Sequence, residues 1–143
     1  MIDIRLLRDD PTGVRASLIR RGVSGSQVDE LIDTDRNFRE SVLARDEVRA
    51  ELNLLSKSVE AAYKSKEIDR ANELRGKAKD LGDRLSELEQ TCTTVENRRK
   101  ELLLYIPNIP DDNVPDGDSD QDNVPIRYWH KDLGEVAPED FTL

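Results

Sequence analysis

Seven basic side chains, Lys57, Lys64, Lys66, Arg70, Arg75, Lys77 and Lys79, fall in one stretch that contains only four acids, Glu60, Glu67, Asp69 and Glu73. The stretch is locally +3 in a chain of formal net charge −9. Cations grouped in this way suit anions, above all a phosphate backbone, which they follow by charge and shape without reading bases. Arg70, Lys77, Arg84 and Arg98 are spaced by multiples of seven, so on a helix they share one edge. Other chemistry is poorly served. His130 is the only histidine and Cys92 the only cysteine, which excludes a His-Cys metal cluster. The seven glycines are scattered and form no phosphate loop. Carboxylate pairs are plentiful but read as a solvated helix face. No catalytic, cofactor-binding or metal-binding residue is assigned to this chain.

The elements that position those cations announce themselves by periodicity. Leu31, Thr34, Phe38, Ser41, Arg45, Val48, Leu52, Leu55, Val59 and Ala62 keep an unbroken 3-4 spacing. So do Ala71, Leu74, Ala78, Leu81, Leu85, Leu88, Cys92, Val95, Arg99 and Leu102. A heptad pattern held this long gives each helix one narrow apolar seam. The connection near Tyr63 to Asp69 is short, so the helices must fold back on each other antiparallel. The fold class is all-α: a long two-helix coiled-coil hairpin, each arm on the order of 55 Å, with a short N-terminal helix at its base and an irregular C-terminal tail. The helices are placed at 26–63 and 67–105. Balancing the seams pairs positions whose numbers sum to about 133. That sum sets Arg84 against Glu51 but leaves Arg70, Lys77 and Arg98 opposite Ser65, Ser58 and Asn37. The competing reading is that these flanking charges serve only as edge-to-edge salt bridges.

Before the hairpin, residues 1–23 read as a strand and then a helix: Ile2, Ile4 and Leu6 alternate, and Asp10-Pro11 follows, an N-cap and a first-turn proline. Val14, Leu18 and Ile19 supply an apolar face, and Gly22 is placed to end that helix. Ser26 is the predicted cap of the first long helix. After Leu104 the period stops, and the prolines at 107 and 110 forbid further helix. Residues 107–143 carry ten acids and two bases, so residues 1–106 hold the other 21 acids and 20 bases and are nearly neutral. The acidity belongs to the tail. Its Asp111 to Asp122 stretch reads as an exposed loop and Val124 to Trp129 as one unpaired strand. With 37% charged and 4% aromatic residues the composition suits a two-helix seam rather than a large core. No run is apolar enough for a membrane span and no signal peptide is visible. Cys92 sits on the seam and reads as a small buried hydrophobe, and a cytoplasmic location without disulfides is expected.

Several stretches, taken together, resemble the N-terminal arm of bacterial-type seryl-tRNA synthetases. They are Met1 to Arg8, Asp10-Pro11, Val14-Arg15 and Arg20 to Gly22; then Arg49 to Asn53 and Leu55 to Lys57; then Ile106 to Pro110, Val114-Pro115, Asp122 to Val124, Arg127 and Trp129. Leu52 departs from the arginine common in that family, and Thr34 and Ser41 depart from its seam leucines. The three class II motifs that bind ATP and serine and form the dimer have no counterpart. The resemblance implies a substrate-positioning module (1–106), with 107–143 a linker toward an absent catalytic domain. It would hold the long variable arm and elbow of serine tRNA for a parent enzyme that uses ATP and Mg²⁺. It also implies a monomer for this chain alone and a homodimer for the parent. The alternatives are a coiled-coil hairpin acting as a protein-interaction scaffold, or a truncated synthetase paralogue.

Overall fold

The computed structural model describes residues 2–111, 113–117 and 119–137. Two compact units divide the chain, Met1–Ile109 and Pro110–Leu143. The first unit is entirely helical. Helix α1 spans Ile4–Asp9, α2 Pro11–Arg20, α3 Gly25–Lys64 and α4 Ile68–Tyr105.

Residues 4–9 are helical where the alternation of Ile2, Ile4 and Leu6 suggested a strand. The Asp3 carboxylate caps the helix, accepting from the Arg5 amide at 2.9 Å. Within the helix Leu7 is buried and Ile4, three residues before it, is half-buried while Leu6 is exposed, so the apolar face follows a helical repeat. Asp10 does cap α2, accepting from the Gly13 amide at 2.9 Å with Pro11 following. Gly22, at φ 76°, ends it. Its amide donates to the Ile19 carbonyl and the Val23 amide donates to Leu18, the paired bonds of a Schellman turn. Ser24, not Ser26, caps α3. The helix starts two residues early because Gln27 Oε1 can accept from the Ser24 amide, at 3.3 Å, and close the turn.

Every seam position named above is buried or half-buried, including Cys92, which is a free thiol. Two ion pairs cross the hairpin on opposite edges, Arg49 to Glu89 at 2.6 Å and Arg98 to Glu30 at 2.6 Å. Their numbers sum to 138 and 128, which straddle the expected 133. The main core is at the base of the hairpin. Ile2, Leu7, Val14, Leu18, Val28, Leu31, Leu102 and Ile106 form one buried cluster there. Beyond it a two-helix seam can shield each side chain on one flank only, and most seam positions are half-buried.

At the far end the chain reverses through a second Schellman turn. The Glu67 amide donates to the Ala62 carbonyl and the Lys66 amide to Tyr63. The residue in the left-handed position is Lys66, at φ 61°, where glycine is usual. A side chain there costs about 1 kcal/mol or more. Lys66→Gly is therefore expected to leave helix content unchanged and raise stability by up to about 1 kcal/mol, net of glycine's extra chain entropy. Equilibrium denaturation reads this directly. A clear loss of stability would show that the lysine stem packs on the turn.

In the second unit the strand expected at Val124 to Trp129 is displaced, and it has a partner. Strand β1 is Tyr128–His130 and pairs antiparallel with β2, Gly134–Val136, with Trp129 opposite Glu135. Gly134, at φ 79°, supplies the left-handed residue that the tight connection requires. The aspartate-rich segment before it is exposed where described, with a single 3₁₀ turn at Asp120–Asp122.

Candidate nucleic-acid interface

All seven cations of the distal stretch are exposed. Lys57 and Lys64 lie on α3, Lys66 in the turn, and Arg70, Arg75, Lys77 and Lys79 on α4. They do not share one edge. Arg70, Lys77 and Arg84 follow the edge marked by the Arg98–Glu30 bridge, whereas Arg75 is a heptad multiple from Glu89 and follows the other. Lys79, one turn beyond Arg75, is on that second side.

The pairing pattern differs from the one read across the hairpin. Arg70 bonds Glu67 at 3.1 Å and Lys77 bonds Glu73 at 2.6 Å, each an acid on or capping its own helix. Lys64 likewise takes Glu60. Arg98 finds Glu30 one heptad beyond Asn37, and also Glu101 at 3.3 Å. The Arg84–Glu51 bridge is not made among the described residues. For Lys64, Arg70 and Lys77 an acid three or four residues away lies within easy reach, whereas Arg98 takes its shorter bond across the seam. Among the described residues the side chains of Lys57, Lys66, Arg75, Lys79 and Arg84 have no hydrogen bond or ion pair.

The Lys77 ammonium, by hydrogen bond and then by charge, holds the Glu73 carboxyl below its usual range, and Lys64 does the same to Glu60. These pairs are fully in water, where solvent and salt screen them and they add little to stability. A phosphate can displace such an acid at little cost. The distal third therefore offers cations at the tip and along both edges of a stiff hairpin. Between the helices on the Lys77 side lies an open groove of about 450 Å³, lined by Glu51, Leu54, Leu55, Ser58, Lys77, Asp80 and Leu81.

The base of the hairpin holds a charged node that periodicity did not reveal. Asp35 is 2% exposed and accepts two bonds from Arg8, both 2.7 Å, one from Arg39 at 3.2 Å and one from Arg99 at 3.2 Å. Burial alone would push its carboxyl up. The Arg8 bonds and charge, followed by Arg99 and Arg39, more than offset that and hold it below the usual range. Arg99 also lies over the Phe38 ring, 3.9 Å from its centre. The node ties α1, α3 and α4 together and so fixes how the lever leaves its base. In sequence Arg39, four residues from Asp35, and Arg99, whose register partner Thr34 adjoins it, hint at two of its members, and Arg8 is not signalled.

Among the described residues no group of three or more His, Cys, Asp or Glu could hold a metal ion. None of the helices among the described residues is long and apolar enough to cross a membrane.

The family described as "Seryl-tRNA synthetase N-terminal domain" matches residues 1–110. A serine–tRNA ligase of Kosmotoga olearia is 40% identical over 141 residues, covering 99% of this chain and 32% of that protein. One from Pseudothermotoga lettingae is 35% identical over 129 residues, covering 90% and 30%. The crystal structure of seryl-tRNA synthetase from Pyrococcus horikoshii complexed with ATP superposes with a TM-score of 0.76 at 32% identity, covering 90% of this chain and 29% of that one. The chain spans about a third of the length of the curated relatives it matches.

Proposed function

The chain belongs to the seryl-tRNA synthetase N-terminal domain family, and from that premise we propose that its hairpin holds a serine-accepting tRNA by the long variable arm and elbow. The observation that carries this reading is the exposed cationic distal third of a rigid two-helix lever, with five cations there and just beyond it that have no acid partner among the described residues. The chain itself performs no chemical step. It positions the tRNA for ATP-dependent serylation by a class II catalytic domain.

In such a ligase ATP supplies the activating adenylyl group and Mg²⁺ neutralises phosphate charge. The residues described here fit neither: they offer no glycine-rich loop and no metal-binding cluster. ATP and Mg²⁺ are accordingly proposed as ligands of the ligase outside this chain. A cytoplasmic location, a homodimeric parent and a monomeric hairpin in isolation complete the proposal. The exposure of Tyr63 and Ile68 at the tip supports a second reading, a hairpin that binds protein.

The cationic edge is tested by replacing Arg70 and Lys77 together by Ala and titrating a serine tRNA over a salt series. The double change is expected to weaken binding and to reduce the log–log salt slope by about 0.7–0.9 per lost phosphate contact. Helicity should be unchanged, because both side chains flank the seam without filling it. Unaltered affinity and slope would contradict the edge and favour the protein-binding reading.

A further inference from the structure

The groove beside Lys77 has a chemistry that phosphate alone does not explain. Its floor is apolar, with Leu54 66% exposed and Leu55 and Leu81 half-buried beside it. The walls carry two carboxylates, Glu51 and Asp80, and neither has a hydrogen bond or ion pair among the described residues. The Ser58 hydroxyl is committed to the Leu54 carbonyl at 3.1 Å. At the rim Lys77 is one heptad from Arg70 and one from Arg84, so the groove opens onto a cationic edge.

A phosphate would be repelled by the two carboxylates and would settle at the rim. The floor instead fits a flat, apolar ring face, and the walls require N–H donors. An unpaired nucleobase whose own phosphate lies at Lys77 satisfies both. Among the bases only guanine presents two adjacent donors, N1–H and the N2 amine, that match the two oxygens of one carboxylate. Cytosine offers an amine beside one ring acceptor, adenine an amine between two, and uracil a single N–H between two carbonyls, so a carboxylate that binds any of them through both oxygens meets a lone pair.

We propose that this groove receives an unpaired guanine of the bound RNA, stacked on Leu54 and Leu81 and held by Glu51 or Asp80. The proposal rests on the tRNA reading above for its ligand, but the groove can be tested without tRNA. Guanosine 5′-monophosphate titrated into the whole chain should shift the methyl resonances of Leu54, Leu55 and Leu81. Inosine monophosphate, which lacks the N2 amine, should shift them less, and uridine monophosphate hardly at all. The double variant Glu51→Gln/Asp80→Asn should abolish the guanosine response.

With serine tRNA the same variant gives a readout that a merely electrostatic surface cannot imitate. Removing two negative charges from a surface that meets a polyanion should strengthen binding, whereas loss of the guanine contact should weaken it about tenfold. Circular dichroism confirms the fold, since both positions are exposed. No methyl response to guanosine monophosphate, or tRNA binding that stays equal or tightens in the variant, would overturn the groove. A guanosine response that persists while the Arg70/Lys77 variant binds tRNA normally would instead remove the cationic edge and leave the groove standing.

Discussion

Asp35→Asn is expected to lower the stability of the helical unit by about 3–5 kcal/mol, the usual cost of leaving a buried ion pair without one partner. Asn keeps the shape of the side chain but not its charge. The Arg99 side chain, 15% exposed and with its Nε already lacking a hydrogen-bond partner, would then face a neutral amide. For a unit of this size each lost kcal/mol lowers Tm by roughly 4–8 °C. Acid should reproduce the effect in the unaltered protein. The folded carboxyl titrates below its unfolded value, so its contribution is complete above the unfolded value near about 3.9 and disappears as pH falls through the folded one. The gap between the two proteins should therefore be widest at neutral pH and narrow as pH drops below about 4. A difference under about 1 kcal/mol at neutral pH would mean that the node is solvated and does not fix the base of the lever.

The hairpin was legible in the sequence because its seam obeys a single period. Leu31 to Ala62 and Ala71 to Leu102 alternate at the spacing that a two-helix contact imposes, and each of those positions is at least half-buried. Asp10-Pro11 and Gly22 were legible for a local reason, since cap and left-handed terminator act within four residues. Helix α1 is not legible in the sequence, because six residues hold too few apolar positions to separate a two-residue from a helical repeat and only the Asp3 cap marks its start. The second Schellman turn could be bracketed between Tyr63 and Asp69 but not located, since Lys66 occupies the place where glycine would have marked it. In the tail, Gly134 to Val136 is too short to stand out as a strand.

The candidate site divides along similar lines. The excess of cations over acids between Lys57 and Lys79 is a matter of composition and needs no structure. Their pairing depends on which acids lie within reach, and the same-helix partners Glu67 and Glu73 were passed over for positions across the seam. Asp35 illustrates the limit most clearly. The register sets Arg99 opposite Thr34, next to Asp35, but Arg8 is 27 residues away and outside the heptads, and nothing in their pattern brings it to that carboxylate. The groove depends in turn on residues of both helices, Leu54 and Leu55 from one and Lys77 and Leu81 from the other, which only the folded hairpin brings together.

The most direct measurement of the central claim is the affinity of this chain for tRNAs that differ in the length of the variable arm. A stiff lever with cations at its tip and edges gains phosphate contacts from a protruding stem that a compact tRNA cannot offer. A serine tRNA with its long variable arm should therefore bind roughly tenfold more tightly than one with a short arm, a difference of about 1.4 kcal/mol. Its salt slope should also be steeper, by about 0.9 for each additional duplex contact. Moving the long arm onto a tRNA that lacks one should transfer the gain. Equal affinities and equal slopes for the two kinds would contradict the account, because the hairpin would then be reading charge without reading shape.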